Sequence, residues 1–98
     1  MSCPVRLEIL RYLEDPEVHF PPQVYGNLAH DGVCAGHIQQ KIGIAPATAS
    51  RHLGLLAAAG LVIPTRRKGF TFYRRDEKAV QAFLARFQSQ LLRTRRGM

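Results

Sequence analysis

Three groups of side chains in this sequence have types and spacings that could do chemistry. The first follows Pro46 directly and reads Ala-Thr-Ala-Ser-Arg-His over residues 47–52. Ala47 is small enough to let a backbone approach a surface closely. Thr48 and Ser50 carry hydroxyls that bond base edges or phosphates, and Arg51 offers the forked donor that pairs with guanine through two hydrogen bonds. His52 either reaches a phosphate or packs at the edge of a buried face; its spacing leaves both open. The second group, Arg66-Arg67-Lys68-Gly69, puts three cations at one turn. It suits contact with a nucleic-acid backbone or minor groove, or else is a solvated turn. In the third, Cys34 and His37 lie three apart, with His30 nearby in sequence and Cys3 able to approach from the first helix. Thiolate and imidazole suit zinc or a similar soft ion, and the two thiols suit a redox signal. The plainer alternative is a half-buried cysteine beside an exposed histidine, so no metal site or cofactor is assigned. Asp76 and Glu77 are adjacent and suit a helix start. No Ser/His/Asp set, spaced carboxylate pair or glycine-rich phosphate loop is present, so the chain is not expected to be an enzyme.

These groups need elements to position them. Val5, Ile9, Leu10 and Leu13 recur at helical spacing and predict a first helix over residues 5–13, with Ser2 as a candidate cap and Asp15-Pro16 as its end. Residues 15–33 carry Pro16, Pro21, Pro22, Gly26 and Gly32 without a sustained period. They read as a loop, with room for a short strand, and loops of this length commonly have a function. Phe20, Tyr25 and Leu28 in it either cover the core or line an effector pocket. Ile38 and Ile42 predict a short helix over 34–42 that stops at Gly43. Pro46 opens the next helix, running to about Ala59, with Ala49, Leu53 and Leu56 on one side and Ala47, Thr48 and Arg51 on the other. Leu55 faces outward on this helix and is expected to pack against the hairpin or the first helix. Residues 61–65 and 70–74 read as two strands joined by a Lys68-Gly69 turn. Asp76 is placed to cap a last helix bearing the stripe Val80, Phe83, Leu84, Phe87 and Leu91. The order predicts one domain over 1–98, mainly α with a β-hairpin wing: a helix-turn-helix at 34–59, a wing at 61–75 and a long helix at 76–93.

Charge narrows the function. The 98 residues carry a net charge of +7, distributed unevenly. Residues 1–45 hold Arg6, Arg11 and Lys41 against Glu8, Glu14, Asp15, Glu17 and Asp31, whereas residues 46–98 hold eleven basic side chains against Asp76 and Glu77. One basic half beside a mildly acidic one suits docking on a polyanion, and double-stranded DNA is the expected partner. A hydrophobic fraction of 46% excludes whole-chain disorder. No apolar run approaches the roughly 18 residues of a membrane span, and the first residues do not read as a signal peptide. With two cysteines there is no disulfide framework, and the expected compartment is the reducing cytoplasm.

Residues 43–62 resemble the recognition segment of the ArsR/SmtB family of winged helix-turn-helix repressors. The likeness rests on Thr48, Ser50-Arg51-His52-Leu53, Leu56 and Ala59-Gly60-Leu61-Val62. Arg66-Arg67-Lys68-Gly69 with Tyr73 is similar to that family's basic wing, and Cys3-Pro4-Val5-Arg6-Leu7-Glu8-Ile9-Leu10 to its early helix. The resemblance implies a winged helix-turn-helix protein that binds DNA as a homodimer, represses transcription and leaves its operator when an effector binds. Members usually carry an additional helix before the early motif, which here begins at residue 3. The dimer is therefore expected to rest on Val80, Phe83, Leu84, Phe87 and Leu91. Many members hold metal through a Cys-x-Cys pair, but Gly36 stands where a second cysteine would follow Cys34. Others use Asp and His on the last helix, and residues 76–98 contain no histidine. A metal, redox or small-molecule effector acting through Cys3, Cys34 and His37 thus stays open. The alternative is a winged-helix module for protein–protein contact that does not bind DNA.

Overall fold

The computed structural model describes residues 4–23 and 25–96, with side chains to Arg93. Cys3 and Ser2 lie outside the described residues. In chain order the elements are α1 (Pro4–Glu14), α2 (Pro16–His19), β1 (Val33–Cys34), α3 (Ala35–Ile42), α4 (Pro46–Ala58), β2 (Val62–Arg67), β3 (Phe70–Arg75) and α5 (Glu77–Arg96).

The apolar spacings of α1, α3 and α4 converge on one core. Ile9, Val33, Ile38, Leu53, Leu56 and Phe72 are almost wholly buried, with Leu13, Phe20, Leu61, Val62 and Val80 around them. Each such side chain contributes roughly 1.5–3 kcal/mol by leaving water. The short connection from α3 begins at Gly43, whose N–H bonds to the Gln39 carbonyl at 2.9 Å. Gln39 Nε2 donates to the Ile44 carbonyl at 2.7 Å and holds the turn that aims α4. The result is a helix-turn-helix with a wing behind it, as the sequence predicts.

The wing is a hairpin in which Arg67 pairs with Phe70 across the turn. Both turn residues have positive φ, 53° at Lys68 and 81° at Gly69. Two successive left-handed residues give the mirror-image turn whose twist matches that of the strands. Glycine adopts that backbone readily, whereas a lysine there is uncommon.

Residues 15–33, read as a loop with room for a short strand, hold such a strand at their end and also a turn of helix that the sequence reading did not include. Asp15-Pro16 opens the single turn α2, and the segment ends in β1, which pairs antiparallel with β3 through Val33–Tyr73 and Cys34–Phe72. The sheet therefore has three strands in the order β1-β3-β2. Between them the chain is held by its own side chains. Asn27 Oδ1 accepts from the N–H groups of Ala29 and His30, and the Asn27 N–H donates to Asp31 Oδ2 at 2.8 Å. Gln23 bridges the loop, donating to the Gly32 carbonyl at 3.1 Å and accepting from the Cys34 N–H at 2.7 Å. Gly32 (φ 103°) lies so close to β3 that a Cβ there would fall on the Tyr73 carbonyl.

A polar contact fastens α1 to the buried side of α4. Arg6 donates from Nη1 to His52 Nδ1 at 3.1 Å. Because Nδ1 accepts, the ring is neutral and carries its proton on Nε2. Burial lowers the His52 pKa from its usual value near 6.5, and the positive charges of Arg6 and Arg51 lower it further.

The last helix projects from this body. The radius of gyration is 14.7 Å, against about 13 Å for a compact chain of 100 residues. Asp76 caps α5 as predicted, accepting the Ala79 N–H at 3.1 Å. Val80 is buried and Phe83 packs against the core, whereas Leu84, Phe87, Leu91 and Leu92 are exposed.

Gly32→Ala combines a backbone clash with a disfavoured φ, and is expected to destabilise the fold by about 3 kcal/mol or more in urea unfolding. For His52 the folded chain resists protonation that the unfolded chain accepts. Its contribution is complete above pH 6.5 and declines as the pH falls below that value toward the lowered folded pKa. Tm should therefore drop between pH 7 and pH 5.5. His52→Gln, which keeps an acceptor for Arg6, should show a flatter dependence in the same window.

Candidate nucleic-acid interface

The buried side of α4 dictates its exposed side. Ala49, His52, Leu53 and Leu56 face the core, so Ala47, Thr48, Ser50 and Arg51 are turned outward. Thr48 and Arg51 lie three apart and share a face, as do Ala47 and Arg51 at four apart. No side chain caps this helix: Ala45 is the N-cap residue and Pro46, which has no N–H, occupies the first turn. The N-terminal end thus presents backbone donors and the positive end of the helix dipole, both suited to an anion. Leu55, expected to pack against the hairpin or α1, is instead 47% exposed, one turn beyond Arg51.

His52 does not belong to this surface. Its ring is only 5% exposed and engaged by Arg6, so the expectation of a phosphate contact is corrected to a packing role. Two helical steps of 100° carry it from the outward face at Ser50 round to the core, the side its spacing had left open.

The wing cations differ from one another. Lys68 and Arg74 are exposed, and no ion pair or hydrogen bond holds them among the described residues; the same is true of Arg51. Arg66 Nη1 donates to Thr71 Oγ1 at 3.0 Å across the hairpin. Arg67 Nε lies 3.3 Å from Asp31 Oδ1 and ties the wing to the 20–32 loop, although the arginine side chain remains 56% exposed. Arg75 is a structural clamp. Its side chain is 8% exposed, it forks onto both Glu77 oxygens at 3.0 Å, and it donates to the Leu10 carbonyl at 3.0 Å. Of the basic excess seen in residues 46–98, this charge is therefore spent inside the molecule. Sequence reasoning missed Arg6, Asp31 and Arg75, because each acts through a partner distant in the chain or, for Arg75, partly so.

Cys34 and His37 both line a space between the wing strand β3 and α3. With Gln23, Tyr25, Phe70 and Phe72 they line a cavity of about 170 Å³. Cys34 is half-buried and the His37 Nδ1 is buried without a hydrogen-bond partner. His30 is exposed in the loop. Among the described residues no group of three His, Cys, Asp or Glu side chains is placed to hold a metal ion. Among them, too, no helix is long and apolar enough to cross a membrane.

Comparison with known proteins agrees with this geometry. Residues 1–65 match the family described as Helix-turn-helix domain. The chain is 39% identical over 80 residues to the uncharacterized HTH-type transcriptional regulator YbzH of Bacillus subtilis (strain 168), a match covering 82% of this chain and 80% of that protein. An α3–turn–α4 unit with an outward-facing second helix, a wing behind it and these matches lead to one conclusion: the chain belongs to the helix-turn-helix domain family.

Proposed function

We propose that the protein is a DNA-binding transcriptional regulator: a cytoplasmic homodimeric repressor of the ArsR/SmtB type, released from its operator by an effector. The observation that carries the reading is the uncapped, outward-facing start of α4, with Ala47, Thr48, Ser50 and Arg51 exposed above a fully buried opposite side. Its support is the family membership and a relative named as a transcriptional regulator.

In this mechanism the start of α4 enters the major groove. Ala47 permits close approach, Thr48 and Ser50 bond bases or phosphates, and Arg51 reads a guanine. Leu55, exposed one turn later, offers an apolar contact to a thymine methyl. Arg66, Arg67 and Lys68 reach the flanking backbone or minor groove. The unusual left-handed Lys68 fits this role, since it keeps a cation at the tip where asparagine or glycine would suit the turn better. Two copies pair through α5. Val80 is taken up by the core of its own chain, and Phe83 largely so, which leaves Leu84, Phe87 and Leu91, with Leu92 beside them, for the partner. An apolar stripe on a projecting helix is the kind of surface a symmetric dimer covers. Half-sites would then lie about one helical turn apart.

Selection of bound duplexes from a random pool supplies the sites for testing. Arg51→Ala should cost about 1–3 kcal/mol and relax preference at one base pair. Lys68→Asn keeps a residue content with positive φ, so its effect reads as charge: binding to all sequences should weaken alike, and the slope of log K against log salt should fall by about 1. Phe87→Glu should convert a dimer into an 11.0 kDa monomer by light scattering at micromolar concentration. An unchanged operator affinity in Arg51→Ala would remove the groove assignment.

A further inference from the structure

The cavity behind the wing has the dimensions and chemistry of a ligand site, and nothing in the DNA-reading surface uses it. We infer that it is the effector site and that it takes a single-ring aromatic molecule bearing one hydroxyl, of the phenol class. The effector role rests on the DNA-binding reading above; the binding itself does not.

Size comes first. A pocket of about 170 Å³, open to solvent past Tyr25 and Phe70, has room for one small ring. The walls are aromatic. Tyr25 stacks on Phe70 with ring centroids 5.9 Å apart and planes 24° apart, and Phe72 lies 6.5 Å from Phe70 at its base. Flat apolar walls favour a flat apolar guest by offset or edge contacts. The polar requirement is small and specific. Gln23 already spends both ends of its amide on Gly32 and Cys34. Among the lining side chains, His37 keeps its Nδ1 buried and without a hydrogen-bond partner, which is costly to leave so. A ligand hydroxyl that the imidazole turns to meet supplies the missing hydrogen bond. A charged ligand fits poorly, since neither an acidic nor a permanently cationic side chain lines the space.

The position gives the ligand a route to the DNA-reading elements. Phe70 is the first residue after the wing turn, and Phe72 pairs with Cys34, the residue on which α3 begins. A ring seated between them bears on the hairpin and on the first helix of the helix-turn-helix together.

The test titrates the free protein with phenol and, separately, with toluene, following backbone amides by NMR. Saturable phenol shifts are expected at Tyr25, Cys34, His37 and Phe70. His37→Leu should weaken phenol about five-fold or more, the worth of one hydrogen bond, and leave toluene unchanged. Tyr25→Ala, at an exposed position that the core does not require, should weaken both probes alike and serves if His37→Leu unfolds. Saturating phenol should lower the affinity for a selected duplex by about five-fold or more, the lower end of ordinary allosteric coupling. The proposal is overturned if phenol does not saturate these shifts at millimolar concentration, if the shifts fall on α5 instead, or if His37→Leu affects both probes equally. Bound phenol without effect on DNA affinity overturns the effector role. A protein that binds phenol as described but no duplex at low salt overturns the DNA reading and not the ligand site.

Discussion

A recognition helix must bury one side completely in order to hold the other still. In α4 this is done by Ala49, Leu53 and Leu56, each almost fully removed from water, and by a histidine that would be out of place there without Arg6. The burial supplies the attachment energy, and the pairing of a neutral imidazole with a guanidinium removes the cost of an unsatisfied nitrogen. Rotation of the helix about its axis would bring Thr48 or Ser50 into the core and expose leucine. Thr48, Ser50 and Arg51 therefore owe their outward aim to the apolar residues between and behind them.

The sheet extends the same constraint to the wing. β3 is the central strand, paired with β2 on one side and with the two residues of β1 on the other. Phe72 on β3 is buried in the core, while Phe70, two residues nearer the tip, is half-exposed against Tyr25. Period-2 alternation puts both on one face, but only the residue closer to the body finds cover. The tip gains further restraint from Asp31, whose carboxylate accepts a loop N–H and faces Arg67. As that ion pair is partly exposed, its worth is small, of the order of 1 kcal/mol or less. It restrains the wing's direction more than it stabilises the fold.

Charge and apolar surface are distributed differently over the molecule. Among the described residues, basic side chains held by no ion pair or hydrogen bond include Arg51, Lys68 and Arg74 on α4 and the wing, and Lys78 and Arg86 on α5. Exposed leucine and phenylalanine gather on the outer half of α5, beyond the point where Val80 and Phe83 meet the core. The loop that joins α2 to β1 has a task of its own. It places Gln23 and Tyr25 beside the space between wing and α3, so that a segment without hydrophobic periodicity supplies one wall of a pocket.

Local pattern alone determined much of this protein. Spacing of apolar residues foretells α1, α3, α4 and α5, because helical burial repeats every three or four positions within one element. Lys68-Gly69 foretells the hairpin, since two left-handed residues in succession demand glycine at least once. Asp76 foretells the start of α5 through a bond that spans three residues. The outward set Ala47, Thr48, Ser50 and Arg51 follows from the same wheel. Tertiary structure alone decided what depends on distant partners. β1 is too short to show alternation and exists only because β3 offers it an edge. His52 stood at the boundary of the wheel until Arg6, 46 residues away, drew it inward. Arg75 is one of the eleven basic side chains of residues 46–98, and only the fold brings the Leu10 carbonyl to it beside Glu77. Cys34 and His37 could be read as neighbours on a helix, but Tyr25, Phe70 and Phe72, which make a cavity of them, reach it through the folded loop and sheet. Periodicity records which side of an element is buried; it holds no record of what that side is buried against.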